Sequence, residues 1–201
     1  MIKRLTVMAT LIAMGVITPL GWTSLAHQQD QATAQERETQ QDQPTTQQGE
    51  SRISALDRQF LLDALEGGQA ALRLSELAVQ RGTSNEVKEF ARAEIQEQQQ
   101  VGPQLRRLAE QRGVTPPTDL GPRYEAVIAT LSNLSGAEFD RAYIKEGGVR
   151  GHAEIEAIYQ RQVDLGQDQE LKDFASKSLP LIQTHLRTAR SLASNNAKTS
   201  Q

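Results

Sequence analysis

From Ser54 to Ser194 apolar residues return every three or four positions, and no stretch shows the strict alternation of a half-buried strand. The pattern predicts four long helices, over about 54–81, 84–112, 137–165 and 168–194, with a short helix near 123–134 between the second and third. Gly82 and Gly166 stand where helices should end, and Ser84 and Asp168 where the next ones should be capped.

Projected at 100° per residue, the first helix gathers Leu61, Leu65, Gly68, Leu72, Ser75 and Val79 on one stripe, and the third gathers Ile144, Gly148, Gly151, Ile155 and Ile158. A glycine inside a helix costs about 1 kcal/mol against alanine. The expectation is that Gly68 meets Gly148 and Gly151 at mid-length, two helices touching backbone to backbone. The same three close glycines, Gly147, Gly148 and Gly151, are also suited to a π-bulge that would rotate His152.

Polar groups interrupt the other stripes. In the second helix Glu94 and Gln98 fall among Val87, Ala91, Ile95, Leu105 and Ala109; in the fourth, His185 shares a side with Leu171, Ile182 and Ala189, while Pro180 points outward. His152 sits at the core edge with Glu156 one turn on. Buried polar groups need partners, so Glu94, Gln98, His152 and His185 are expected to form one core cluster, with Glu156 at its edge. A neighbouring carboxylate would raise the pKa of either histidine.

The helices are also repeated. "NEVKEFA", beginning at Asn85, matches "QELKDFA", beginning at Gln169, and the "EGG" at Glu66 matches the "EGG" at Glu146. One helical hairpin has been used twice. Two hairpins with tight turns, joined by a long connection between the second and third helices, follow the wiring of a ferritin-like four-helix bundle. The segments "VKEFA", "GVTPP", "GAEFDRAYI", "GH" and "LPLIQTHLRTA" resemble the domain of unknown function 4142 family across about Ile53 to Ala193. The resemblance implies a ferritin-like, all-α fold and export from a bacterial cell.

A ferritin-like di-metal site takes glutamates from two helices and a Glu-x-x-His pair from each of the others. That set is incomplete in this chain. Glu94-x-x-Glu97 lacks the histidine, Val149 precedes His152 by three, and Glu97-Gln98 stands where related sequences commonly carry Asp-His. No catalytic residue is assigned and no tightly held cofactor is expected. A weakly bound divalent metal remains open, with Glu94, His152, Glu156 and His185 as its weak candidate ligands.

Composition adds a compartment. The opening segment, Met1 to Ala26, carries Lys3 and Arg4, an apolar run and a Ser-Leu-Ala ending, which predicts a signal peptide cleaved after Ala26; an uncleaved membrane anchor is the alternative. Cleavage would remove Met1, Met8, Met14 and Trp22, leaving no Met, Trp or Cys, which suits an oxidising, periplasmic or secreted location. The span 27–52 forms a Gln/Thr-rich tether: from His27 to Glu50 glutamine is the commonest residue and no large apolar residue occurs, so the segment has too little to bury to order itself. The folded bundle is then 53–194 and a flexible tail 195–201. A formal charge of −3 over 201 residues argues against a nucleic-acid partner. No stable membrane insertion is expected after processing; an envelope protein or a second copy of the chain stays open as a partner. The leading expectation is a non-enzymatic structural or stress-related module of the cell envelope, ahead of a ferritin-like metal-binding or redox protein and of a carrier for a small apolar ligand.

Overall fold

The computed structural model describes residues 53–198 and shows an all-α chain with no strand among the described residues. The expected signal peptide and tether, and the end of the tail, lie outside those residues. Within them, six α-helices follow in order: α1 Ala55–Arg81, α2 Asn85–Gln111, α3 Pro122–Ser132, α4 Gly136–Tyr143, α5 His152–Leu165 and α6 Gln169–Lys198. A π-helical segment, Ile144–Gly151, joins α4 to α5, so the three pieces run on as one long rod. The last helix passes the expected boundary at Ser194, because no Pro or Gly interrupts 195–198.

Capping follows the sequence. The Ser54 and Ser84 hydroxyls accept from the N–H groups of Asp57 and Val87, and the Asp168 carboxylate accepts from Leu171 N–H at 3.1 Å. Gly82 and Gly166 do end helices, but in extended conformation rather than the left-handed one. Their need for glycine is steric: a Cβ at Gly82 would stand 2.7 Å from the Ala78 carbonyl oxygen, and one at Gly166 2.5 Å from that of Gln162.

The duplication is visible as reciprocal bonding. Asp140 of α4 accepts from the backbone N–H groups of Thr83 and Ser84 at 3.0 and 2.8 Å in the α1–α2 turn. Asp57 of α1 accepts from Gln167 and Asp168 at 3.1 and 3.2 Å in the α5–α6 turn. Each hairpin thus holds the other's turn with one buried aspartate. A second such pair lies further in: Tyr143 hydrogen-bonds Ser75 at 3.0 Å, and Phe60 meets Tyr159 edge to face at 5.1 Å.

These pairs fix the register of the repeat. The stretch from Asp140 to Gly166 is longer by a single position than its counterpart from Asp57 to Gly82. The extra residue is what a π-bulge inserts into an α-helix, and the π-helical segment lies in that stretch. Beyond it the register that pairs Asn85 with Gln169 applies, so Gly67 corresponds to Gly151 and Gly68 to His152. The "EGG" match of Glu66 with Glu146 therefore does not join equivalent positions.

Two apolar clusters fill the interior. One contains Phe60, Leu61, Leu65, Leu105, Tyr159, Leu171 and Ile182; the other contains Leu74, Val87, Phe90, Phe139, Tyr143, Ile144 and Ala189. Each fully buried large side chain contributes about 1.5–3 kcal/mol. On all four long rods the clusters are separated by a gap: Gly67–Gly68 in α1, Glu94–Val101 in α2, Gly148–His152 before and at the start of α5, and His185 in α6.

The glycine contacts differ from expectation. A Cβ at Gly68 would meet Gln98 Oε1 at 2.8 Å, not the third rod, and it is Gly67 that faces Ile155. A Cβ at Gly148 would stand 3.0 Å from that of Ala189 in α6, while one at Gly151 would meet only the Glu146 carbonyl at 3.4 Å. Gly148 therefore lets α6 approach, and Gly151 serves the π turn itself. Periodicity placed Leu61, Leu65, Ile144 and Gly148 in the core, but it missed the neighbours of the glycines and left Gly68 and Leu72 only half-buried.

Candidate functional site

The gap between the apolar clusters is where the polar residues converge. Glu94 is 2% exposed and His152 8%. One carboxylate oxygen, Glu94 Oε1, receives both imidazoles: His152 Nε2 at 3.0 Å and His185 Nδ1 in close contact. The ligand atoms of Glu94, His152 and His185 all lie within 4.8 Å of one another. Phe90 closes one side, its ring 5.7 Å from that of His152 and 6.0 Å from that of His185.

The π-helical segment decides which atom of His152 faces the cluster. His152 Nδ1 lies 2.8 Å from the Gly148 carbonyl oxygen and 3.3 Å from that of Gly147. A carbonyl only accepts, so Nδ1 carries a proton and Nε2 is the nitrogen turned to Glu94. In a neutral imidazole that Nε2 presents a lone pair to a carboxylate that also has only lone pairs. Something positive must lie between them: a second proton on His152, or a cation. Holding the distal ring nitrogen on a backbone carbonyl is also how metal-ligating histidines are oriented.

The charges respond accordingly. Burial works against ionising Glu94, but hydrogen bonds and charge from the two histidines outweigh it and hold the carboxyl at about 2. His152 is raised: burial alone would lower it, and the Glu94 carboxylate more than reverses that. His185 is raised chiefly by its hydrogen bond to Glu94.

Glu97 joins the site, which the sequence did not reveal. Its Oε2 stands 3.1 Å from His185 Nδ1, off hydrogen-bond geometry, so this buried oxygen has no hydrogen-bond partner. Burial first, and then the Glu94 charge, push its carboxyl upward. The i,i+3 spacing of Glu94 and Glu97 on one face is the signal available in the sequence, where it reads only as a missing Glu-x-x-His.

Two expected members fall away. Gln98 lines the adjoining cavity with its Oε1 toward Gly68 and makes no hydrogen bond to either histidine. Glu156 is not among the gathered ligand atoms. The reason is directional: the His152 ring turns back toward Gly148, as helical side chains lean toward the N-terminus, and so away from a residue one turn further on.

Chemically, two imidazole nitrogens with one ionised carboxylate suit a borderline divalent transition metal, and the unpartnered Glu97 oxygen stands beside His185 outside that gathered set. Among the described residues the donors come from α2, α5 and α6. Toward the gap α1 carries Gly67, Gly68 and Ala71, beside a cavity of about 430 Å³.

Residues 41–192 match the family described as Domain of unknown function (DUF4142). No curated protein matches the chain. Its fold is similar to that of a DUF305 fragment from Deinococcus radiodurans, at 19% identity and a TM-score of 0.63, covering 71% of this chain and 98% of the other. It is also similar to a conserved hypothetical protein from Mycobacterium tuberculosis, at 15% identity and a TM-score of 0.55, covering 73% and 94%. At these identities the likeness is one of fold.

Proposed function

The chain belongs to the family described as Domain of unknown function (DUF4142), and from that premise we propose an exported, ferritin-like four-helix bundle of the cell envelope that carries no catalytic di-metal centre and holds at most one exchangeable divalent transition-metal ion. One observation carries the metal reading: Glu94 Oε1, His152 Nε2 and His185 Nδ1 converge in a buried gap, with the outer nitrogen of His152 anchored on the Gly148 carbonyl. Glu94, His152 and His185 would hold the ion. The ion would supply the positive charge that the facing lone pairs require. Among the described residues one glutamate-histidine set is gathered, which supports a single ion over a pair. Export rests on the opening segment from Met1 to Ala26. Among the described residues no helix is long and apolar enough to cross a membrane.

The test uses mature protein prepared without a His-tag, titrated with Zn²⁺, Co²⁺ or Ni²⁺ and followed by melting temperature and elemental analysis. At a hundredfold excess over Kd one bound ion should stabilise by about 2.7 kcal/mol. His152→Ala and His185→Ala should lose that shift, and Glu156→Gln should keep it. An equal shift in all variants would leave the cluster as a proton-bridged structural element; two stoichiometric ions lost together on His152→Ala would favour the redox-enzyme reading instead. N-terminal sequencing of the exported protein should begin at His27, and Met1 on envelope-located protein would support the anchor.

A further inference from the structure

We infer that the residue inserted in Ile144–Gly151 is a positioning element of the polar cluster: the π turn it creates seats the His152 ring, and the fold alone does not require it. This role holds whether a proton or a cation bridges Glu94 and His152, and so does not depend on the metal reading.

The first hairpin is the internal comparison. There α1 is α-helical from Ala55 to Arg81 without a break, and it meets the second hairpin at both ends: Asp57 on the opposite turn, Phe60 on Tyr159, and Ser75 on Tyr143. With one residue fewer, it makes the contacts that α4 and α5 return. An unbroken α-helix is therefore long enough to span the bundle. Where α1 has Ala64 and Leu65, the second hairpin has Gly147 and Gly148, and glycine costs a helix about 1 kcal/mol against alanine. A costlier turn that leaves both ends unchanged needs another cause.

The backbone carbonyls supply it. A π turn bonds each N–H to the carbonyl five residues back and an α turn to the one four back. The His152 N–H already follows the α pattern, reaching Gly148, so at the handover the ladder passes over one carbonyl of the turn. The imidazole lies at that place, its Nδ1 2.8 Å from the Gly148 oxygen and 3.3 Å from that of Gly147. Leaving a buried carbonyl without a donor is costly, and the Nδ1–H proton offsets that cost. The same bond turns Nε2 to Glu94 at 3.0 Å. In α1 the counterpart of His152 is Gly68, which has no ring to seat, and α1 has no insertion.

The experiment deletes Val149, which leaves Gly148 in the register of Leu65 and Gly151 in that of Gly67, so the shortened rod matches α1 position by position. Val149→Ala, which keeps the chain length, is the control. In metal-free, isotope-labelled mature protein, NMR should show a slowly exchanging His152 Nδ1–H, assigned by its absence in His152→Ala; the deletion should lose it and Val149→Ala should keep it. Co²⁺ affinity, read by visible absorption, should fall about 10–100-fold on deletion and stay within about threefold in Val149→Ala. Urea unfolding of the shortened chain should remain cooperative with the wild-type slope. A wild type without the Nδ1–H signal, a deletion that retains it, or a deletion that binds Co²⁺ as tightly as wild type overturns the inference. Deleting Lys145, an exposed residue of the same segment, repeats the test; if neither shortened chain unfolds cooperatively, the fold needs the insertion and the inference is overturned. A wild type that binds no Co²⁺ refutes the metal reading alone, and the Nδ1–H signal then decides the role of the insertion.

Discussion

Replacing Asp140 with alanine should unfasten the α1–α2 turn. The carboxylate is 4% exposed and accepts from Thr83 N–H at 3.0 Å, Ser84 N–H at 2.8 Å and the Thr83 hydroxyl at 2.6 Å. Bonds to an ionised acceptor are worth about 1.5–3 kcal/mol each. Thr83 itself is exposed, so its hydroxyl can turn to water and adds little to the loss. The two backbone N–H groups remain, and partial access of water to the turn puts their combined loss at about 2–4 kcal/mol. Asp140→Asn keeps one acceptor oxygen and should cost about half as much. Urea unfolding gives the measurement: the midpoint should fall with the slope unchanged, since no surface is newly exposed in the native state. Asp164→Ala, which removes only an exposed hydrogen bond from Gln160, is the control. If Asp140→Ala lies within about 1 kcal/mol of wild type, or no lower than Asp164→Ala, then the reciprocal aspartates do not hold the hairpins together.

Asp57 offers a pH signature of the same contact. Burial tends to raise its pKa, but hydrogen bonds from Ser54, Gln162 and the backbone of Gln167 and Asp168 hold it below the ordinary 3.8. Its stabilisation is thus complete above 3.8 and is lost as pH falls through the depressed folded value; the stability gap between wild type and Asp57→Asn should be flat near neutrality and shrink on acidification, and a gap that widens in acid would contradict this. Gly148→Leu should destabilise by about 1–3 kcal/mol, by overpacking against Ala189 and Phe90. Glu154→Leu, which breaks an exposed pair with Arg123, should cost at most about 1 kcal/mol, and equal thermal melts for these two variants would refute the Gly148 contact. Ser75→Ala leaves the buried Tyr143 hydroxyl unpaired and should cost about 1–3 kcal/mol; a double-mutant cycle with Tyr143→Phe should return most of it as coupling, and additive losses would show that the bond contributes nothing.

Helix positions, caps and the repeat were legible because each is written in local pattern: Ser84 and Asp168 cap where expected, and "NEVKEFA" and "QELKDFA" occupy equivalent starts of α2 and α6. What failed depended on neighbours. The α1 stripe was centred on Gly68 and Leu72, both half-buried, whereas Gly67 and Leu74 are the buried pair. A repeated Leu signal cannot show which of two adjacent faces meets the next helix. The "EGG" match misled for a different reason: it compared positions across an inserted residue, so the true counterpart of His152 was hidden. Once the insertion is placed in the π-helical segment, the hairpins agree in their turn aspartates but differ at the centre, with Gly68 against His152 and Ser178 against Glu94. The features shared by both halves are those that hold the fold. The donors have no equivalents in the other hairpin: Glu94 stands in the first, His152 and His185 in the second, and the π-helical turn that sets His152 on the Gly148 carbonyl belongs to the second. The inserted residue therefore marks the site, although it contributes no ligand to it.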